Sequence, residues 1–255
     1  MAVRNFAIIF FVIFLLYSVV AQVINVGISE MIKTDLVWLN YNKTLNNGLP
    51  LNISFEVYNS GSVGSNTRVR LDVLKENKTV FTGWSEEKPL QPGSRSYFEI
   101  YWYPFNMRGK FTIKLRNYIA NEIKDLGSFQ INVKDFTKAE KNIEILSPKI
   151  YKNEISLLLK SDENLENVLI IPTDYPTGWI IEQGKINKIR KNVIYDVEIK
   201  YDPSLWKKDS VTFIAVTEDG KYYGSKTFEL KRACMLEEFV HNTIKFLEKV
   251  VSKIL

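Results

Sequence analysis

The chain has 255 residues, of which 45% are hydrophobic and 25% are charged, a balance that excludes a disordered chain and an integral membrane protein. Its 34 basic and 29 acidic residues give a net charge of +5 and are interspersed, so the sequence has no footprint of nucleic-acid binding. Cys234 is the single cysteine, so the fold cannot depend on an internal disulfide, and this thiol is a candidate for an intermolecular disulfide.

Residues 1–28 have the composition of an export segment. Arg4 precedes an uncharged apolar run over residues 6–20, and the small residue Ala21 follows this run. This layout predicts a cleavable signal peptide. The alternative is an uncleaved signal anchor, because apolar residues beyond Gln22 lengthen the run toward the ~20 residues that span a bilayer. Under both interpretations the chain from about residue 29 is secreted or anchored on the extracytoplasmic face of the membrane.

Residues 29–134 show the two-residue alternation of half-buried strands. In Leu51–Tyr58, Leu, Ile, Phe and Val face one way while Asn, Ser, Glu and Tyr face the other. Other strands are predicted around Asp35–Leu39, Val69–Val73, Tyr97–Trp102, Phe111–Leu115 and Phe129–Val133. Strands at this spacing, with turn residues between them and no helical period, predict an antiparallel β-sandwich.

Four short motifs follow one another in this first domain. They are Asn59-Ser60-Gly61, Leu90-Gln91-Pro92-Gly93, Trp102-Tyr103-Pro104 and Gly109-Lys110-Phe111-Thr112-Ile113. Their order resembles the CARDB family of prokaryotic cell-surface immunoglobulin-like domains, over about residues 30–134. The resemblance implies an immunoglobulin-like fold outside the cell. Leu115-Arg116-Asn117-Tyr118 departs from the acidic, Asn-rich segment that the family often carries, so we expect no calcium site.

Residues 135–142 are mostly polar and have no apolar period, so we predict an exposed linker that proteases cut first. Strand patterns resume in residues 143–232, and Val193–Tyr201 alternates throughout. Asp219-Gly220, between two apolar segments, is a strong hairpin signal. These features predict a second antiparallel sandwich that forms a separate domain and a stable fragment.

Two motifs occur in this second domain, Leu165-Glu166-Asn167-Val168 and Tyr175-Pro176-Thr177-Gly178-Trp179. A strand that leads into a Pro-x-Gly-Trp turn resembles the NEW3 family of immunoglobulin-like modules, over about residues 143–230. The match is partial, because residues 186–191 replace a Pro-Gly turn that is usual in the family. The resemblance implies a module that accompanies other envelope or carbohydrate-active domains.

Three Asn-x-Ser/Thr acceptors begin at Asn42, Asn52 and Asn77, all in the first domain. In an exported chain they are candidate glycosylation sites. Chance occurrence in an Asn-rich sequence is the alternative.

The strand Tyr97–Trp102 carries tyrosines on its predicted outer face. Its alternation places Tyr97, Tyr101 and Tyr103 opposite the core, and Tyr58 of another strand points the same way. Exposed aromatic rings on a sheet can stack on sugars or anchor a protein, so these four tyrosines form a candidate ligand face. The alternatives are cross-strand pairs that stabilise the sheet and rings covered by the second domain.

No catalytic or metal-binding motif is present. His241 and Cys234 are single residues of their types, so imidazole and thiolate ligands cannot assemble a four-ligand metal site. The adjacent acid pairs Glu86-Glu87 and Asp162-Glu163 lie in polar, loop-like contexts and are interpreted as surface residues. We therefore expect neither enzymatic activity nor a cofactor.

Residues 233–255 change to a helical period. The candidate association stripe contains Leu236, Val240, Leu247, Val250 and Ile254. Because the opposite half is polar, this amphipathic helix must bury its stripe. It can do so on the second domain, against a helix of another copy or subunit, or in the membrane interface. Cys234 at its start could link a parallel pair.

The predicted fold class is therefore all-β: two antiparallel immunoglobulin-like sandwiches between an N-terminal hydrophobic signal or anchor helix and a C-terminal amphipathic helix. The expected function is that of an exported, non-catalytic envelope protein in adhesion or assembly with other surface proteins. The alternative is a carbohydrate-binding or weakly hydrolytic secreted module. Expected partners are envelope proteins or surface glycans, the membrane through an uncleaved N-terminal segment, and a second copy through the C-terminal helix.

Overall fold

The computed structural model describes residues 31–45, 49–134, 139–151, 153–176, 178–203, 210–229, 240 and 242–247. Within these ranges the chain is predominantly β-strand, as predicted, and residues 32–255 form one compact unit. The predicted export segment, residues 1–28, lies outside the described residues. In the described part of the chain, no helix has the length and apolar character needed to cross a membrane.

The first half of the chain forms two sheets. Its strands are β1 (Thr34–Tyr41), β2 (Thr44–Leu45), β3 (Leu51–Asn59), β4 (Ser65–Lys75), β5 (Lys78–Trp84), β6 (Lys88–Leu90), β7 (Arg95–Trp102), β8 (Gly109–Ile119) and β9 (Glu122–Val133). Sheet A has the order β1-β3-β7, and sheet B has the order β2-β9-β8-β4-β5 with β6 beside β4. All pairs are antiparallel except β2 with β9.

Sheets A and B enclose the first core. Phe55 and Phe98 of sheet A and Leu71 and Ile113 of sheet B are fully buried in it. These residues occupy the predicted inward positions, because burying one face of a pleated strand removes every second side chain from water.

The second half of the chain forms two further sheets. Its strands are β10 (Glu140–Lys141), β11 (Ile143–Ile145), β12 (Lys149–Ile150), β13 (Glu154–Ser161), β14 (Leu165–Thr173), β15 (Trp179–Ile181), β16 (Gly184–Ile189), β17 (Tyr195–Pro203), β18 (Ser210–Thr217) and β19 (Tyr222–Glu229). Sheet C has the order β10-β19-β18-β14-β16, and sheet D has the order β11-β13-β17-β15 with β12 beside β13. Leu157, Leu159 and Ile199 of sheet D pack with Phe213 of sheet C in the second core.

Sheet C contributes to both cores. On β14, Ile170 belongs to the second core and its neighbour Ile171 to the first. On β18, Phe213 and Ile214 divide in the same way. Sheet C therefore packs against the first sandwich as well as within the second. The separate stability of the two domains stays a prediction that unfolding experiments test.

Asn59 joins two of the motifs that carried the family resemblance. Its side-chain amide donates to the carbonyl oxygens of Val63 at 2.7 Å and Leu90 at 3.1 Å, and its side-chain oxygen accepts from the N–H of Gly61 at 2.9 Å. The N–H of Gly93, which has a φ of +73°, donates to the backbone oxygen of Asn59. These motifs therefore shape the turns of the first sandwich.

The second sandwich differs from the sequence-based expectations in one detail and agrees with them in another. Val193 and Ile194 are exposed, because β17 begins only at Tyr195. The hairpin at Asp219-Gly220 is present between β18 and β19, and its positive φ is found at Gly220.

Candidate functional site

The outer face of sheet A presents an aromatic pair. A cross-strand row on this face contains Trp38 of β1, Glu56 of β3 and Tyr97 of β7. The Trp38 and Tyr97 rings lean toward each other, with centroids 6.0 Å apart, and their exposures are 44% and 41%. We call Trp38 and Tyr97 the aromatic pair.

A β-bulge turns Trp38 outward. The register between β1 and β3 shifts between Leu36 and Trp38, so Val37 is an extra residue in the ladder. A bulge of this kind re-aims the side chains that follow it. Regular alternation would place Trp38 on the same side as Leu36. The sequence pattern therefore gave no indication that Trp38 is exposed on the outer face.

The four predicted tyrosines do not form one exposed face. Tyr97 is exposed and Tyr58 is half-buried beside Arg95, but Tyr101 and Tyr103 are only 9% and 3% exposed. Tyr103 lies at the junction with sheet C, where it lines a small cavity together with Ile171 and others. Cover by the second sandwich, one of the alternatives above, accounts for both buried rings.

A groove lies beside Tyr97 where the two sandwiches meet. It has a volume of about 240 Å³. Its lining includes Trp84, Lys88, Tyr97, Glu99, Gln183 and Lys185. We call it the seam groove. Because Tyr97 also belongs to the aromatic pair, the two features form one continuous surface.

Glu99 is the fixed acceptor of this groove. The Tyr97 hydroxyl donates to its Oε1 at 2.7 Å, and the Tyr101 hydroxyl donates to its Oε2 at 3.2 Å. Partial burial and the Glu99 carboxylate raise the pKa of both tyrosines, so both hydroxyls stay protonated as donors at neutral pH. The two bonds orient the carboxylate toward the groove.

Gln183 closes the floor of the groove. Its side-chain oxygen accepts from the N–H of Tyr101 at 2.7 Å, and its side-chain nitrogen donates to the Tyr101 carbonyl at 2.6 Å. Since β7 is an edge strand of sheet A, these bonds satisfy backbone groups that an edge would leave to solvent. The groove is thus built across the junction by both sandwiches.

Glu182 is the buried acid of the junction. Burial raises the pKa of its carboxyl, and the nearby charges of Lys200 and Arg68 oppose this effect. The carboxylate accepts the backbone N–H of Glu87 at 3.3 Å. Glu87 thus belongs to a charged cluster at the junction, with its own ion pair to Arg68 at 3.2 Å.

The three candidate glycosylation sites all have exposed side chains. Asn42 follows β1, and Asn77 lies in the β4–β5 turn with a φ of +64°. Asn52 lies on the outer face of β3, where its side-chain amide is 3.5 Å from the Tyr101 hydroxyl. A glycan on Asn52 would therefore cover part of the outer face of sheet A. Glycosylation stays a prediction.

The C-terminal helix is described at residues 240 and 242–247. Its polar residue Lys245 contacts sheet D, through ion pairs with Glu154 and, at 2.9 Å, with Glu198. Val240 and Leu247 of the predicted stripe are exposed. Docking of this stripe onto the second sandwich is thus not seen at these residues. Leu236, Val250, Ile254 and Cys234 lie outside the described residues.

Titratable side chains do not cluster in the manner of a metal site in the described ranges, where no group of three His, Cys, Asp or Glu is placed to hold an ion. Glu86, from one of the predicted surface acid pairs, is exposed and pairs with Lys88 at 2.5 Å. His241 lies outside the described residues.

No family model and no curated protein matches the chain. Among solved structures, the CARDB domain of a Pyrococcus furiosus protein, determined in complex with di-metal ions, is 15% identical, with a TM-score of 0.31, over 41% of this chain and 94% of that one. An alkylpurine DNA glycosylase from Pseudomonas fluorescens is 14% identical, with a TM-score of 0.33, over 41% of this chain and 31% of that one.

A β-glucosidase from Listeria innocua is 14% identical, with a TM-score of 0.32. The match covers 43% of this chain and 17% of the glucosidase. The all-β architecture is seen directly in the strands and sheets of this chain.

Proposed function

We propose that the chain is an exported, non-catalytic envelope protein of a prokaryote that binds another surface component through the outer face of sheet A. The export pattern of residues 1–28 and the CARDB-like motifs of residues 30–134 support this proposal. The NEW3-like motifs of residues 143–230 support a second immunoglobulin-like module in the same chain.

The aromatic pair is the observation that carries the proposal. Trp and Tyr dominate the energetics of protein recognition, because each buries a large rigid surface at little entropic cost. Trp38 is turned toward solvent by a bulge, and it meets Tyr97 above the central strand of sheet A. These two large rings are exposed, while the opposite face of sheet A is buried in the core. An exposed aromatic patch on a rigid sheet is typical of a binding surface.

A pull-down from native membranes tests the binding surface. The bait is the exported chain from about residue 29, compared with W38A/Y97A and with the control V193A. Val193 is exposed and lies in the other sandwich. The double variant should lose a specific partner that the wild type and V193A both retain. Equal recovery with all three proteins would refute a role for the aromatic pair.

Export is tested separately. A reporter fused to the C-terminus should be accessible to protease added outside intact cells. Accumulation of the fusion in the cytoplasm with its N-terminus intact would contradict export.

Carbohydrate binding is the second candidate function, and one observation favours it. The exposed Tyr97 ring stands beside a carboxylate that two tyrosine hydroxyls hold in place. An aromatic ring next to a polar acceptor matches the apolar face and the hydroxyl edge of a sugar.

A further inference from the structure

We infer that the seam groove binds a short stretch of a neutral saccharide, with the Tyr97 ring as stacking platform and Glu99 as hydroxyl acceptor. This inference rests on the proposed function and names the chemical class of its partner. At about 240 Å³ the groove is smaller than the roughly 300–1,000 Å³ of pockets for drug-sized ligands. It therefore suits one end or a short segment of a glycan.

The acceptor capacity of Glu99 is only partly used. A carboxylate has about four lone-pair sites, and each oxygen of Glu99 accepts one tyrosine hydroxyl. Each oxygen thus retains a site for a ligand hydroxyl. Because the tyrosines fix the carboxylate before binding, little conformational entropy is lost when a sugar donates to it.

Donors for a sugar lie at the same groove. Lys88 donates to the Tyr97 carbonyl at 2.7 Å and pairs with Glu86, so one of its three N–H groups is left for a ligand. Lys185 pairs with Glu218 at 2.5 Å and also lines the groove. The groove therefore offers both hydrogen-bond acceptors and donors, as a ligand with many hydroxyls requires.

The charges favour a neutral ligand. Each lysine of the groove is already paired with an acid, Lys88 with Glu86 and Lys185 with Glu218. Glu99 has hydroxyl donors but no ion-pair partner among the contacts described, so it repels an anionic sugar. An apolar protein side chain in the groove would remove the Glu99 carboxylate from water without replacing its hydrogen bonds, which is costly.

The groove is preformed by the fold. Gln183 bonds both backbone groups of Tyr101, and Glu182 bonds the backbone N–H of Glu87 on the facing side. Trp84 at the groove donates its indole N–H to the Trp179 carbonyl at 3.1 Å. These contacts join the two sandwiches, so a ligand meets a fixed shape.

Titration with defined sugars tests the inference. The exported chain is titrated with cellohexaose, mannohexaose and chitohexaose, and tryptophan fluorescence reports binding because Trp84 lines the groove. At least one of these neutral probes should bind saturably. Y97A and E99Q should weaken binding about tenfold or more, since each removes a contact made directly to the sugar. Y97F, which keeps the ring and loses the hydroxyl, should fall between Y97A and wild type.

Two controls keep the result specific. V193A removes an exposed apolar group, and E166Q removes an exposed charge on β14, both outside the groove. Circular dichroism melts confirm that every variant is folded. Absence of saturable binding to all three sugars, or equal binding by wild type, Y97A and E99Q, would overturn the inference. If no sugar bound but the wild type captured a protein partner that W38A/Y97A lost, the proposed function would stand while the saccharide assignment failed.

Discussion

The side-chain amide of Gln183 pairs with the backbone of Tyr101 as a neighbouring strand would. It accepts from the N–H at 2.7 Å and donates to the carbonyl at 2.6 Å, although the residues are 82 positions apart. This single side chain closes the β7 edge of the first sandwich with a group from the second. It also lines the seam groove.

Gln183→Ala should lower the free energy of unfolding by about 2 kcal/mol, because two intramolecular hydrogen bonds of about 1 kcal/mol each are lost. Urea unfolding measures the change. Gln130→Ala, at an exposed position of β9, is the matched control and should be close to neutral. Equal effects of the two variants would mean that the junction does not depend on this contact.

Ile170 and Ile171 test the shared role of sheet C. They are adjacent on β14, both are buried, and they face different cores. Ile170→Ala and Ile171→Ala should each destabilise the chain by about 2–5 kcal/mol. Both variants should unfold in one cooperative transition, as should the wild type. A nearly neutral Ile171→Ala, or two separate transitions in the wild type, would instead support independent domains.

Glu182 should make stability depend on pH. Burial raises its folded-state pKa above 4.5, so the folded state holds the proton more tightly than the unfolded state. The stabilisation from the protonated form is complete below the unfolded pKa and is lost as the pH rises through the folded pKa. Glu182→Gln keeps the acceptor for the Glu87 N–H and removes the titration. The stability of this variant relative to wild type should therefore increase from about pH 4 to pH 8. Parallel pH profiles would contradict the prediction.

Deletion of residues 236–255 should leave both sandwiches folded. The described helix residues, 240 and 242–247, belong to neither core, and the ion pairs of Lys245 with sheet D are only partly buried. We expect a loss of less than about 1 kcal/mol together with altered assembly or membrane association. Sedimentation velocity and thermal melts measure both. An unchanged monomer mass with a large drop in melting temperature would show that the helix is part of the second core.

The sequence pattern predicted those strands that have one buried face and one exposed face. Leu51–Tyr58 alternates because β3 packs on one side only, and its register in sheet A follows that pattern. On β14, residues 168–172 are buried on both faces, so polar alternation disappears there. This continuous apolar run is the sequence signal for a strand that packs on both faces.

The candidate site was harder to predict because tertiary contacts decide it. Alternation placed Tyr97 and Tyr101 on the same outer face, yet Tyr101 is buried, with Lys185 of the second sandwich near its ring, while Tyr97 is exposed. Trp38 joins that face through a bulge that no sequence pattern marks. Glu99 follows the same alternation as Tyr97 and lies on the outer face, but its role depends on two hydroxyls that the sheet brings together.

Sheet C also limits which recombination events between genes could yield a folded protein from part of this chain. A recombination event that cut between the halves, near residue 138, would transfer a sheet with two apolar faces but only one of its cores. The other face, with Leu169, Ile171 and Ile214, would then be open to water and prone to aggregate. The first half would in turn lose the cover of its open side. We therefore expect the two halves to be inherited as a pair, although each has the size of a module that could fold alone.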